Sequence, residues 1–351
     1  MTTIYDAYGE DGDFTYLNGG VGAGIIVTGT GPSFRSAYAR CSIQVLNAGS
    51  VTTIAAEVAA RRIWPSGPRS TFWTGCRLWL DSQAAYQTPV LWGLTDVNGV
   101  LRLALVSTNG NNFAAGPYAF YKIDAAGNQT LLLTTSSGFS ASPAVPDKFD
   151  DSVSYSTTGS VRLFINGNLV GSYSGDVTTD GLAALAGTYH GTYGTSGSGT
   201  RIAAWSELVV SDTDTRNVSV STSVATGSGT LDQWTGTASN VNALAVNDAI
   251  YDTTTTAGAK QLYTQGTIAV GSDTILATVS SIRATQGTGS LAHVALVQSI
   301  AGTQYASASA ALPAVFGPVQ FIQPTNPATG AAWLASDLNA SNYQAGYEAL
   351  A

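Results

Sequence analysis

The sequence predicts an all-β protein: a large antiparallel sandwich, then a second, smaller β-sandwich and a short C-terminal tail. Three observations predict it. From Val161 to Tyr173, Val161, Leu163 and Ile165 fall on one side of an extended chain, and Arg162, Phe164 and Asn166 on the other. Asn166-Gly167 then supplies the two positive-φ residues of a tight hairpin turn, and Leu169, Gly171 and Tyr173 begin the return strand. Many short strands of this kind follow one another between turn residues, with no convincing long helix. The third observation is composition: 39 glycines and only 10% charged residues, far below the roughly 25% usual in soluble domains. Gly, Ser, Thr, Ala and Asn fill the space, which is the usage of turn-rich β structure.

The elements follow in order. Residues 1 to about 50 read as short strands between glycines, at 22–27 and 36–45. Val51, Ile54, Val58 and Arg62 would share a helical face, although the neighbourhood is β. Phe72 to Leu80 is an aromatic-rich strand. Val90–Thr95 turns at Asp96-Val97-Asn98-Gly99 into Val100–Val106. Tyr118–Ile123 turns at 124–128 into Thr130–Thr134. Asp147–Tyr155 leads to the central hairpin, and Ile202–Val210 closes a domain of residues 1–212. Ser211 to Arg216 reads as a polar linker. Strand candidates at 217–221, 261–263, 273–282, 292–297 and 319–322 make a second sandwich, residues 213–323. The tail, 324–351, carries a short helix from Ala332 to Asn339 and then Tyr343, Tyr347 and Leu350.

The chain has 351 residues and 44% hydrophobic ones, enough to bury two cores. Its net charge is −8, with no basic cluster beyond Arg61-Arg62, so nucleic-acid binding is excluded as an expectation. The N-terminus lacks the basic and apolar regions of a signal peptide, and no run approaches the ~20 apolar residues of a membrane span. Synthesis in a cytoplasm and no membrane partner are therefore expected. Cys41 and Cys76 could pair, but in a reducing compartment two buried free thiols are the expectation. His190 lies in a loop and His293 in an alternating apolar strand, too isolated for zinc or for a nucleophile-base pair. Trp64, Trp73, Trp79 and Trp92 are assigned to the core. The Gly-rich segment from Tyr189 to Thr200 is a connection between strands. Its alternative use is to cradle a sugar, with Tyr189 and Tyr193 stacking as glycan-binding residues.

Asp147-Lys148-Phe149-Asp150, the stretch Val161 to Tyr173 and Trp205 to Asp212 resemble the concanavalin A-like (laminin-G type) jelly roll. Asp232-Gln233-Trp234, residues 245–248, 257–263 and Asn326 to Trp333 are similar to the back half of tailed-bacteriophage virion proteins with such a sandwich at the N-terminus. The resemblance implies a structural protein of a phage particle: a head decoration or minor capsid protein, or a head spike. Localisation would be the virion. Symmetric self-association, as a homotrimer, and contact with the major capsid or other virion proteins are expected. The alternative is a receptor- or glycan-binding module of a tail or head fibre. Glycosidases of the concanavalin-like fold use paired carboxylates in a Glu-x-Asp-x-Glu strand, which is absent here, so no enzyme is expected. No cofactor is expected. Calcium is the one metal the lectin-like resemblance suggests, with oxygens at Asp96-Val97-Asn98-Gly99 and at Asp124 to Asn128, although both stretches also read as turns.

Overall fold

The computed structural model describes residues 3–8, 15–17, 25–28, 42–46, 59–80, 89–107, 116–139, 147–192, 202–242, 248–266, 273–339 and 341–351. Regular structure among them is almost entirely antiparallel β. Two compact units are present, Tyr5–Val220 and Ser221–Ala351. No helix among the described residues is long and apolar enough to cross a membrane.

The first unit is a two-sheet sandwich of the jelly-roll type. Its strands begin with β1 (Ile4–Tyr8), β2 (Thr15–Leu17), β3 (Ile25–Thr28), β4 (Ser42–Leu46) and β5 (Ala59–Ile63). They continue with β6 (Thr71–Leu80), β7 (Pro89–Thr95), β8 (Leu101–Ser107), β9 (Tyr118–Ile123) and β10 (Gln129–Thr134). The last are β11 (Asp147–Ser154), β12 (Gly159–Ile165), β13 (Asn168–Gly175), β14 (Gly187–Thr192) and β15 (Ile202–Ser211). One sheet has the order β13-β12-β11-β6-β15-β4-β3, with β1 also on β15. The other runs β10-β9-β8-β7-β14-β5-β2.

The central hairpin forms as its sequence requires: Asn166 and Gly167 adopt φ of 49° and 78°, and β12 pairs with β13. Alternation sends Phe72, Phe149, Val153, Val161 and Leu163 inward against Trp92, Leu105 and Phe120 of the facing sheet. Trp92 and Phe149 meet with ring centroids 5.8 Å apart, and the Trp205 indole donates to the Leu91 carbonyl at 2.6 Å. Each such ring contributes about 1.5–3 kcal/mol by burial. Trp64 and Trp92 are core residues, whereas Trp73 lies on the outer face, because it alternates with buried Phe72. The Trp79 side chain lies outside the described residues. The helical reading of Val51–Arg62 fails where it can be seen: residues from Ala59 on form β5. Cys76 is a free, buried thiol, and Cys41 lies outside the described residues.

The second unit contains β16 (Ala225–Asp232), a short helix α1 (Ala238–Val241), β17 (Lys260–Gln265), β18 (Thr278–Ala284) and β19 (His293–Ile300). It continues through β20 (Thr303–Ala306), β21 (Ala310–Ala311), β22 (Gly317–Gln323) and β23 (Tyr343–Leu350). A sheet of order β16-β17-β23-β19-β20, with β21 on β19, packs on the pair β18-β22. Leu296, Val294, Tyr263 and Tyr347 meet Val319, Ile282 and Phe321 between them. The strand expected at 217–221 forms further on, as β16. Residues 343–350, grouped with the tail by sequence, form the middle strand β23, because Tyr343, Tyr347 and Ala349 bury as inward residues of a strand do. The helix expected from Ala332 to Asn339 is a single 3-10 turn, Ala335–Leu338.

Candidate functional site

The outer face of the first sheet carries the richest chemistry. Since Phe72, Val153 and Val161 point inward, their neighbours point out, and pairing aligns them in rows across strands. Ser152 lies opposite Trp73 on β6 and Arg162 on β12, and Arg162 lies opposite Ser172 on β13. The next row is Thr71, Ser154, Ser160 and Ser174. On the other side come Gly75, Asp150 and Phe164. Four strands at about 4.8 Å spacing make each full row about 14 Å wide.

The half nearest Trp73 is open. Thr71, Arg162, Ser172 and Ser174 are exposed, and Trp73, Ser152 and Ser160 are half-buried. The Trp73 ring stacks on Phe164, with centroids 5.6 Å apart and planes 22° from parallel. The Arg162 guanidinium stands 5.2 Å over Phe164. Arg216, from the segment after β15, lies 4.7 Å over Phe164 and 5.7 Å over Trp73. Arg216 is held by Asp214, its Nε donating at 2.9 Å, and this bond keeps the Asp214 carboxyl below the usual range. The half therefore offers hydroxyls, an indole and guanidinium N–H donors on a rigid sheet.

The other half is closed. Gly75 forms its floor: a Cβ there would lie 2.7 Å from Lys148 Nζ, 3.0 Å from Thr215 Oγ1, and closer still to Asp150. Thr215 is fully buried, its hydroxyl 2.8 Å from Asp150 Oδ1 and 2.9 Å from the Thr74 carbonyl. Lys148 pairs with Asp150 and Arg77 with Glu207, both at 3.4 Å. Glu207 has a φ of 51° where the pairing of β15 with β6 slips between Ser206 and Val209. Burial raises the Asp150 carboxyl, with the Lys148 charge pulling it back, and raises Glu207 against the pull of Arg77. On the inner side, Asp151 accepts the Thr74 hydroxyl; burial first, then the Asp150 charge, pushes its pKa up to about 7. Arg77 is partly exposed, whereas Lys148, Asp150, Asp151 and Glu207 are shut off from water, and Lys148 Nζ, Asp150 Oδ2 and Asp151 Oδ2 are left without a hydrogen bond among the described residues.

The residues singled out in the sequence lie elsewhere. Tyr189 is fully buried among Val90, Leu101, Ala104, Val106 and Ile123, so its ring has no exposed face for a sugar. Tyr193 lies outside the described residues, as does the side chain of His190, a residue of β14 and not of a loop. His293 Nδ1 is 3.0 Å from the Ala351 carbonyl oxygen, at the start of β19. The calcium-compatible oxygens are spent on turns. Asp96 accepts Asn98 N–H at 2.8 Å and pairs with Arg102, and Asp124 accepts Asn128 N–H at 2.8 Å. Among the described residues no group of three His, Cys, Asp or Glu side chains converges on a metal position. Trp73, Ser152, Arg162 and Ser172 were not foreseen as a set. Serine at every second position of 152–154 and 172–174 signals a wet face, but only the fold shows which strands adjoin.

No family model matches the chain, and no curated protein does. Solved structures are similar to it at low identity. An endo-β-1,4-glucuronan lyase from the fungus Trichoderma reesei is 11% identical over 60% of this chain and 96% of that one, with a TM-score of 0.43. An alginate lyase is 11% identical over 56% of this chain and 96% of that one, at 0.31. The binding domain of a Paraclostridial mosquitocidal protein is 11% identical over 59% of this chain and 48% of that one, at 0.36. The lyases among them overturn the expectation that this is not an enzyme, which rested on a missing motif of a different catalytic type. No substrate or reaction is carried over from likenesses this distant. The expected virion origin finds no support in these comparisons.

Proposed function

We propose that the chain is a carbohydrate-binding β-sandwich protein and that the open half of the first sheet's outer face holds the glycan. One observation carries this reading: the row Trp73, Ser152, Arg162 and Ser172, aligned across four strands, with its hydroxyls and guanidinium turned outward. A sugar ring has a weakly apolar face and a rim of hydroxyls. A fixed aromatic ring beside hydrogen-bonding side chains matches both. Because these groups stand on strands and not on loops, their spacing is preset, and little ordering cost falls on binding. Screening the full chain on a glycan array should identify a bound oligosaccharide, and Trp73→Ala should weaken it about tenfold, the effect of about 1.4 kcal/mol. An empty array, or unchanged affinity in Trp73→Ala, would sink the proposal.

A second reading has its own support. A structural protein of a phage particle, self-associating as a homotrimer, would suit the exposed Ile250, Tyr251 and Val315 of the second unit, since apolar surface of this kind marks protein contacts. The phage-like stretch Asn326–Trp333 is part of that unit, its Trp333 indole donating to the Gln323 carbonyl at 2.9 Å. Sedimentation as a monomer at micromolar concentration, with no association to particles, would count against it.

A further inference from the structure

We infer that the sugar held on this face is anionic and that Arg162 selects it; the inference rests on the carbohydrate-binding reading above. Among the described arginines, Arg162 alone makes neither an ion pair nor a hydrogen bond. Arg62, Arg77, Arg102, Arg216 and Arg283 are all paired with carboxylates. Arg61 and Arg69 donate to backbone carbonyls. Arg162 has only the Phe164 ring beneath it, at 5.2 Å, and its neighbours in the row are the serines 152 and 172. The nearby carboxylate, Asp214, is hydrogen-bonded to Arg216, and the Arg162 charge acts on it too without forming an ion pair.

The arrangement leaves a planar fork of N–H donors, exposed above the Phe164 ring, with no hydrogen-bond acceptor from the described residues of the protein. Such a fork matches a carboxylate or sulfate group, which takes two parallel hydrogen bonds. A neutral sugar would not require it. The chain carries a net charge of −8, so its overall field repels an acidic glycan. A local unpaired cation reverses that repulsion at one point, and so fixes where along the row the charged sugar sits. Arg216 adds a second guanidinium at the edge of the same rings, with its charge largely offset by Asp214.

The test is calorimetric titration of the full chain with three ligands: an oligogalacturonate, a sulfated carrageenan oligosaccharide and cellopentaose. At low salt an anionic ligand should bind about tenfold tighter than the neutral one, with the advantage shrinking as salt rises. The carboxylate and sulfate arms distinguish which anion the fork takes. Arg162→Gln should erase the advantage of the anionic ligands over cellopentaose, while Arg162→Lys should restore part of it, keeping charge but not the fork. Equal binding of all three ligands, or an advantage that survives Arg162→Gln, overturns the inference while leaving carbohydrate binding intact. Failure of every ligand to bind overturns both.

Discussion

The two halves of the first sheet's outer face are built from adjacent positions of the same strands, yet they treat charge in opposite ways. Around Gly75, Lys148, Asp150 and Glu207 are at least nine-tenths buried; Lys148 pairs with Asp150 under Thr215, and Glu207 with Arg77. Two residues along β6, Trp73 begins a row whose arginine is exposed and unpaired. A buried ion pair adds little net stability, but removing one partner leaves the other charge uncompensated and costs stability. Exposed charge without a partner costs the fold almost nothing to keep, and it stays available to a ligand. Polarity alone therefore does not mark a site; what separates the halves is whether the polar groups are buried against one another or face water.

The largest expected effect lies on the inner side of the closed half. Asp151 is pushed from an ordinary 3.8 up to about 7, so the folded state keeps a proton that the unfolded chain has released. Its stabilising contribution is present below about pH 4 and is lost as pH rises through about 7. At about 1.4 kcal/mol per unit, the whole window is worth about 4 kcal/mol. Urea unfolding of wild type and Asp151→Asn at pH 4 and pH 8 measures it, since the amide does not titrate. Wild type should lose ground to the variant as pH rises; parallel curves would show that Asp151 is solvated, and the contrast between halves would weaken.

Breaking the ion pair comes next. Lys148→Met should cost about 3 kcal/mol, because Asp150 would stay buried without its cation. The loss should grow with pH as Asp150 is forced to ionise. Thermal unfolding reads this directly, and Arg162→Gln is the control from the open half, expected within about 0.5 kcal/mol of wild type. Equal losses in the two variants would erase the distinction.

Much of the fold was legible because alternation and turn chemistry are local. The hairpin around Asn166-Gly167 needs only its own residues, and Leu103 and Leu105 declare an inward face by spacing two apart. β23 was hidden because nothing local separates a docked strand from a loose tail; its two neighbours, β17 and β19, come from far up the chain. The site was hidden for the same reason. Ser152 and Trp73 are 79 positions apart, and only sheet order makes them neighbours. Tyr189 shows the converse, since its surroundings of Gly and Thr look open in sequence although its ring is packed under Val90 and Leu101. By size Trp73 reads as a core residue, although the buried residue Phe72 beside it forces the opposite face.

The smallest effects give the sharpest form of the comparison, since the same atom can be removed from each half. Thr215→Val deletes a hydroxyl that sits between Asp150 and the Thr74 carbonyl, leaving buried acceptors short of a donor. That should cost about 2 kcal/mol of stability and leave glycan affinity unchanged. Ser172→Ala deletes an exposed hydroxyl at the far end of the Trp73 row, whose loss water covers in the free protein. It should leave stability within about 0.5 kcal/mol of wild type and weaken glycan binding by about 1 kcal/mol, close to fivefold. Chemical denaturation and titration of both variants make a two-by-two test. If Ser172→Ala were the destabilising change, or Thr215→Val the one that weakens binding, the division of this face into a structural and a binding half would be reversed.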